Sequence, residues 1–536
     1  MKKLKLVCVA IAMAGAAPTF AGGLLTNTNQ HVAFNRMMSR EASIGIDGVY
    51  YNPAGVVFMG DGHHLAINWQ LAYQTRTINN DYKLFTNNVN NPITPRDFKG
   101  KAFAPVIPSF QYAYNKGKWS FQANFSLTGG GGKCTFDNGL GSFEKIVSET
   151  AIAACGLAGV VDQTLGNTLG QQGMEMFTSD KAFGKTGKYS FNSYMHGRQY
   201  YYGLSVGAAY KFCDNFSAFL GVRGVYALTN YYGYVENINV GNMPLYKVLD
   251  PTKENAANIE LSCDQTGVGF TPIIGVDYKT GRWNFSAKYE FKTRIRLKNK
   301  SVNQTPSIGN LPANLANQMT GILTARYQQA GLPLEQAKQQ AENTTNTVLS
   351  DPKVGATMMG LKTQFDQKLN KAIGEYEDGK KIAGDIPGYL ALGIGYSPVD
   401  AVRVNVGFHW FDDKNATSYN NRNKELKRGT LEYNAGVEVD VNKKITLSTG
   451  WQNTNYGLSD EYMDDKSFVV GSNSAAIGGV YHINKKMDLN VAYFHTFYQH
   501  KKTSETVQLA ADKSIVYNSD YTRNNNVFAV GLDINF

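Results

Sequence analysis

The chain has 536 residues, a formal net charge of +10, 12% aromatic residues and 18% charged ones. With a mean hydropathy of -0.32 it is too polar for a bundle of membrane-spanning helices and too aromatic for a disordered chain. Its basic excess is scattered and falls to about +7 once a leader carrying three lysines is removed, so it leaves no nucleic-acid footprint.

Lys2, Lys3 and Lys5 precede an apolar run from Leu6 to Ala17, and Thr19-Phe20-Ala21 ends it on a small residue. This predicts a secretory signal peptide over residues 1–21. Cys8 lies inside the apolar run and not at the cleavage point, so it is not read as a lipid-anchored cysteine. No later run of 18 consecutive apolar residues exists, and no membrane-spanning helix is expected. An exported chain rich in amphipathic strands enters a membrane only as a closed barrel, in which every backbone group is paired internally. That places it in a bacterial outer membrane.

Residues 22–62 are predicted to form a compact plug. They contain Ile46-Asp47-Gly48-Val49-Tyr50-Tyr51-Asn52-Pro53-Ala54-Gly55, too short and too rich in turn formers to be a domain. From 63 to 536 the sequence reads as hairpin after hairpin. Leu65, Ile67, Trp69, Leu71 and Tyr73 alternate with polar residues, the period of a strand with one apolar face. Further strands are predicted near 103–114, 118–128, 190–212, 215–232, 266–279 and 282–298, then near 386–397, 401–411, 430–441, 444–453, 472–484 and 487–498. A last strand ends at Phe536. The total is fourteen, in an all-β antiparallel transmembrane barrel. Six connections are tight, such as Asn115-Lys116-Gly117 and Lys279-Thr280-Gly281, and seven are longer, as periplasmic turns and outer loops alternate in such barrels. Both termini then lie on the periplasmic side, and the plug enters the lumen from below.

In the seventh strand Trp283, Phe285, Ala287, Tyr289, Phe291 and Ile295 alternate with Lys288, Glu290, Lys292, Arg294 and Arg296. The charged row is expected to face the lumen. Lys288, Arg294 and Arg296 are candidate contacts there, either for a ligand carboxylate or for a mutually paired wall that anchors the plug. Two outer loops, about 129–189 and 299–385, are far longer than a connection needs. The first carries Ile146, Val147, Ile152, Leu157, Val160 and Val161 at helical spacing. The second carries Leu315, Met319, Ile322 and Leu323, then a polar helix near 334–348.

With these features the chain resembles the FadL and TodX outer-membrane transporters of hydrophobic compounds. The Tyr-Tyr-Asn-Pro-Ala-Gly string is similar to that family's hatch signature, and Asn52, Pro53, Ala54 and Gly55 are the hatch positions it marks. The resemblance implies a hatched, monomeric barrel that gathers an apolar ligand such as a long-chain fatty acid on its outer loops. It further implies passive movement to an interior pocket and sideways release into the outer-membrane lipid. Pro105 and Pro108 in the second strand, and Gly129 to Gly132 after the third, mark the expected opening, since Pro lacks a ladder donor and Gly adds no packing. Competing readings are a non-selective porin, an outer-membrane enzyme and an adhesin or antigen.

Other motifs carry no chemistry. Gly129-Gly130-Gly131-Gly132-Lys133 lacks the leading Gly of a phosphate loop, and Cys134 stands where Ser or Thr belongs. His31, His64, His196, His409, His482 and His495 lie apart, without ligand spacing or a convergent triad, so no metal, cofactor or catalytic group is expected. Cys213 falls in a periplasmic turn while Cys134, Cys155 and Cys263 fall on the outer side. A disulfide between Cys134 and Cys155, inside one loop, is therefore expected, with Cys213 a free thiol.

Overall fold

The computed structural model describes residues 26–536 except 172, 307, 511 and 512. The expected leader and the first four residues of the expected plug lie outside the described residues. One antiparallel sheet closes on itself through fourteen strands. These are β1 (Gly62–Tyr82), β2 (Arg96–Lys116), β3 (Trp119–Phe136), β4 (Tyr189–Lys211), β5 (Phe216–Val240) and β6 (Ile259–Thr280). After them come β7 (Trp283–Glu290, resumed as Arg296–Gln304), β8 (Tyr389–Val399), β9 (Val402–Phe411) and β10 (Thr430–Asn442). The set ends with β11 (Ile445–Asn455), β12 (Ser472–Asn484), β13 (Met487–Tyr498) and β14 (Lys513–Asn535). Closure runs from His64 opposite Asn535 to Tyr82 opposite Tyr517. Short segments Met243–Pro244, Lys381–Ala383 and Lys501–Ala510 add to the sheet outside this ring.

Alternation sets the two faces. Ile67, Trp69, Phe121, Leu220, Phe270, Trp283 and Phe285 are exposed on the outside, whereas Asn68, Gln70, Gln111, Gln122 and Asn124 are buried inside. An apolar belt around a polar interior is the pattern of an outer-membrane-type barrel. Tight turns close the periplasmic ends, with Gly117 and Gly281 at positive φ where a side chain would be strained.

The interior is filled by residues 26–61. Helices α1 (Val32–Met37) and α2 (Gly48–Tyr51) and a 3-10 turn over Gly55–Met59 pack against the wall. Wall glycines make room for α1: a Cβ on Gly436 or Gly450 would overlap the Met37 carbonyl. Such close approach is what Gly in a strand permits.

Over the outer mouth lie α3 (Gly141–Leu169), α4 (Tyr246–Leu249), α5 (Leu311–Gln329), α6 (Leu334–Leu349) and α7 (Pro352–Ile373). By length and composition α3 is apolar enough to cross a membrane. Instead it packs on the other loops, burying Phe143, Val147, Val161 and Leu165 in one core with Leu315, Met319 and Val348.

The seventh strand departs from the expected alternation. Opposite β6, Ile273 pairs with Glu290 and Thr266 pairs with Lys298, so eight steps of β7 meet seven of β6. The extra residue sits beside Pro272, which has no N–H to offer, and one inserted residue turns every later side chain to the other face. Lys288 and Glu290 are buried inside, whereas beyond the break Ile295 and Leu297 turn inward and Arg294 and Arg296 are exposed. Arg294 and Arg296 are therefore exposed on the face opposite to the one alternation predicts, and Arg296 pairs with Asp385 at 2.8 Å.

Candidate functional site

The Tyr50 to Gly55 string grips two things at once. Upward, the Tyr51 hydroxyl donates to the Thr28 carbonyl at 2.7 Å and accepts from the Gln30 N–H at 2.8 Å. The Tyr50 hydroxyl donates to the Asn27 carbonyl at 3.1 Å. Outward, the Asn52 amide donates to Asp277 of β6 at 2.6 Å, and the Pro53 carbonyl accepts from Gln122 of β3 at 2.7 Å. The Ala54 carbonyl accepts from Ser217 of β5 at 2.7 Å. Asn52 also folds back to accept from the Gly55 N–H at 3.2 Å, and a Cβ at Gly55 would collide with that amide. The Asn52 amide and the Pro53 and Ala54 carbonyls each find a partner on a different strand, which fixes the hatch in one orientation.

What the two tyrosines hold is a seal across a break in the wall. The β2–β3 ladder pairs Ala102 with Cys134 and resumes only at Phe110 with Phe125. Pro105 and Pro108 lack donors, and on the other lip β3 bulges twice against β4, with Gly130 and Gly132 at positive φ. Behind the break the hatch supplies the missing partner. Thr26 bridges to Gly129, and the Asn27 N–H donates to the Thr128 carbonyl at 3.0 Å. The Asn27 amide donates to the carbonyls of Gly130 (2.6 Å) and Leu127 (3.3 Å), and the Gln30 amide to Leu127 at 2.9 Å. From the β2 lip, Ser109 and Gln111 donate to the Gln30 carbonyl at 2.6 and 2.9 Å. Around this seal Phe34, Tyr51, Ala104, Ile107, Leu127 and Phe494 form an apolar cluster, while Phe103 and Val106 are exposed on the outer face.

The rest of the hatch is held by charge. Glu438 of β10 takes Arg36, Arg40 (3.1 Å) and Arg403 (3.3 Å), and Arg40 also pairs with Asp47 at 2.7 Å. His409 lies between Glu41 (2.7 Å) and Glu432 (2.9 Å), with both ring nitrogens on carboxylates as in an imidazolium. Lys288 donates to the Tyr50 carbonyl at 2.6 Å, lies over the Tyr50 ring and pairs with Glu290, which Arg223 clasps with two bonds at 2.7 and 2.8 Å. Lys288 is thus a plug contact. Arg36, Arg40, Glu41, Glu432 and Glu438 escape a sequence reading; the only signal is two arginines four apart in an otherwise turn-rich plug.

Two cavities open above the hatch. One, about 460 Å³, is apolar, lined by Phe143, Ile146, Val161, Phe183, Ile238 and Leu311 among others. The second, about 510 Å³, is polar and rests on Gln199 and Tyr201 of β4 and Tyr231 of β5, below loop residues that include Glu375, Arg422 and Asp464.

The expected Cys134–Cys155 disulfide is absent: all four described cysteines are free. Cys134 is buried within β3, whereas the half-buried Cys155 on α3 donates to the Phe183 carbonyl at 3.4 Å, so neighbours in one loop face different surroundings. Cys213 is free and exposed. Among the described residues no three His, Cys, Asp or Glu side chains are grouped to hold a metal ion.

In fold the chain is similar to a Pseudomonas aeruginosa FadL homologue, with a TM-score of 0.56 and 14% identity over 98% of this chain and 100% of that one. It is also similar to the deltaS2S3 mutant of the TodX monoaromatic hydrocarbon channel, with a TM-score of 0.50 and 12% identity over 94% of this chain and 99% of that one. No protein-family model matches the chain, and no curated protein matches it in sequence. At identities this low the structural match shows a shared fold alone.

Proposed function

We propose that the protein carries hydrophobic small molecules passively across the outer membrane as a monomer, releasing them sideways through the β2–β3 break. The observation that carries this reading is the break itself, backed by an apolar cluster and sealed by hatch residues Thr26 to Gln30. An aqueous pore has no use for a gap in its lipid-facing wall, and a structural barrel has none for a seal made from a separate segment. The shared fold with a FadL homologue and a monoaromatic hydrocarbon channel agrees with it.

Capture begins at the apolar cavity between α3, α5 and the rim. Burial of each methylene is worth about 0.8 kcal/mol, so an eight-carbon chain gains about 6 kcal/mol without any covalent step or energy source. Displacement of the Thr26–Gln30 segment then opens a path to the bilayer. The resemblance points to long-chain fatty acids as one ligand class.

The test is uptake of a radiolabelled apolar compound into liposomes containing the protein, with mass spectrometry of what copurifies in mild detergent. Saturable uptake that Asn52→Ala with Pro53→Ala reduces supports a transporter. Steady ionic conductance of the intact protein with no apolar uptake refutes it in favour of a porin. Partner binding by the loops that survives hatch deletion, again without uptake, refutes it in favour of an adhesin.

A further inference from the structure

The polar chamber stands directly over the sealed break. Its floor residues Gln199 and Tyr201 are the β4 partners of Gly132 and Gly129, the glycines of the β3 lip. The Tyr201 carbonyl also accepts from the Thr128 hydroxyl at 3.2 Å. On another side the chamber is bounded by Ser142 and Lys145 at the start of α3, whose Phe143 and Ile146 line the apolar cavity. The Lys145–Glu149 pair, 3.2 Å, spans the two: Lys145 lines the chamber and Glu149 the apolar cavity. An amphiphile with its tail in the apolar cavity has its head beside this chamber.

The chamber's charge is one-sided. Eight carboxylate side chains line it against two cationic ones, Lys145 and Arg422, with Arg296 paired to Asp385 from outside the lining. Lys145 is shared between Glu149 and Glu505, the latter at 3.4 Å. Arg422 donates to the backbone carbonyls of Tyr462 and Ser467. Lys466, just behind the lining, is buried and its ammonium has no hydrogen-bond partner. Burial pushes that amine down to about 7, so near neutral pH it is uncharged much of the time. Burial likewise pushes Glu375 up to about 7 against the pull of Lys466 and Arg422, with Asp464 adding to the push. A further group points to a ligand. The side-chain oxygen of Gln199, on a residue 8% exposed, lines the chamber without a hydrogen-bond partner. Unpaired polar atoms in that degree of burial are costly unless something occupies them. Six tyrosines in the lining, Tyr201, Tyr231 and Tyr419 among them, offer ring faces that favour cations.

We propose that this chamber is the head-group site of the transported amphiphile and that it takes a primary ammonium in preference to a carboxylate. This rests on the transporter reading above and narrows its ligand class away from fatty acids. The ammonium donates to the chamber's carboxylates and to the open end of Gln199, while an anion in the same place meets a lining in which carboxylates outnumber cations.

The experiment uses the full mature chain in lipid nanodiscs at pH 8, titrated calorimetrically with octylammonium, octanoate and 1-octanol, with empty nanodiscs subtracted. The expected result is octylammonium at least about tenfold tighter than octanoate, a gap of about 1.4 kcal/mol, with 1-octanol between them. Asp464→Asn with Glu375→Gln should bring the ratio towards one. High salt should shrink the ratio in the unaltered protein, a readout that needs no variant to fold. Equal binding of all three, or tighter binding of octanoate, overturns the proposal while leaving the transporter reading intact. Absence of binding by any of them overturns both.

Discussion

Replacing Asn27 by Ala isolates the seal from the rest of the hatch. The side chain gives two bonds to the β3 lip, to Gly130 at 2.6 Å and to Leu127 at 3.3 Å. Leu127 keeps its bond from Gln30, so the loss falls on Gly130, whose carbonyl is left without that donor. An orphaned carbonyl costs about 1–3 kcal/mol, and the bond from the Asn27 N–H to Thr128 is retained. The closed state should therefore lose about 1–3 kcal/mol relative to the open one, which raises the open fraction by about 5- to 150-fold. If seal opening limits transport, initial uptake of a labelled apolar compound into liposomes rises by up to that factor, until capture on the loops takes over as the slow step. The rise should come without ionic conductance, because the ionic anchors of the hatch are untouched. Uptake within twofold of the parent protein, at equal and correctly oriented insertion, refutes the assignment of this segment as the gate.

Gly450→Val places a branched side chain where the Met37 carbonyl lies; the barrel should fold, the hatch should fail to seat, and single-channel recordings should show steady conductance absent from the parent. Glu438→Gln leaves Arg36 and Arg40 without their shared carboxylate, a loss of about 3–5 kcal/mol for a broken buried pair, to be read as faster proteolysis of the hatch with unchanged barrel content by circular dichroism. Glu375, pushed up to about 7, holds its proton more tightly in the folded loops than in an unfolded chain, and burial pushes Asp465 the same way. That stabilisation is complete below about pH 4.5 and is lost as pH rises towards 7, while the cost of burying Lys466 is constant over that window because its ammonium is charged below about 7. Intrinsic-rate-corrected hydrogen exchange in segments 374–380 and 459–470 should thus be faster at pH 7 than at pH 5, and Glu375→Gln should flatten the difference. Maleimide should label Cys213 in the folded protein and spare Cys134 and Cys263, and Cys134→Ser should leave stability in non-reducing conditions free of the 2–5 kcal/mol fall, roughly, that loss of a disulfide brings.

The strands were legible because strand period and turn chemistry are local. Trp283, Phe285 and Lys288 fall on the faces that alternation predicts, and the loop helices follow the spacing of Ile146, Val147 and Leu157. The errors share one cause, which is that register and contact belong to pairs of segments. Lys292, Arg294 and Arg296 continue the charged alternation without interruption, yet the inserted residue in β7 exists only relative to β6, and Pro272 is its single local trace. Arg36 and Arg40 are visible in the plug, but Glu438 lies some 400 positions away. Cys134 and Cys155 are near in sequence and apart in surroundings. The break between β2 and β3 was readable from Pro105, Pro108 and Gly129 to Gly132, because donor loss and positive φ are properties of single residues.

The two sides of the hatch are fastened by bonds of different kinds, and this decides which part can move. Against β7 to β10 the contacts are buried ion pairs, Arg40 and Arg36 with Glu438 and Glu41 with His409, and breaking one by removing a partner costs about 3–5 kcal/mol. Against β2 and β3 the contacts of residues 26–30 are neutral hydrogen bonds, from Asn27 and Gln30 to β3 and from Ser109 and Gln111 to the Gln30 carbonyl, each worth about 1 kcal/mol net. The neutral bonds break one at a time in steps of about 1 kcal/mol, whereas each ion pair is lost in one larger step. Under the proposed transport function, opening is a local peeling of Thr26 to Gln30 about a hatch that stays anchored by its ion pairs, with Tyr50 and Tyr51 as the pivot. A disulfide between Thr26→Cys and Gly129→Cys, residues already bridged across the strands, should abolish uptake and restore it on reduction. Uptake that survives the oxidised crosslink would mean that the ligand leaves by another path.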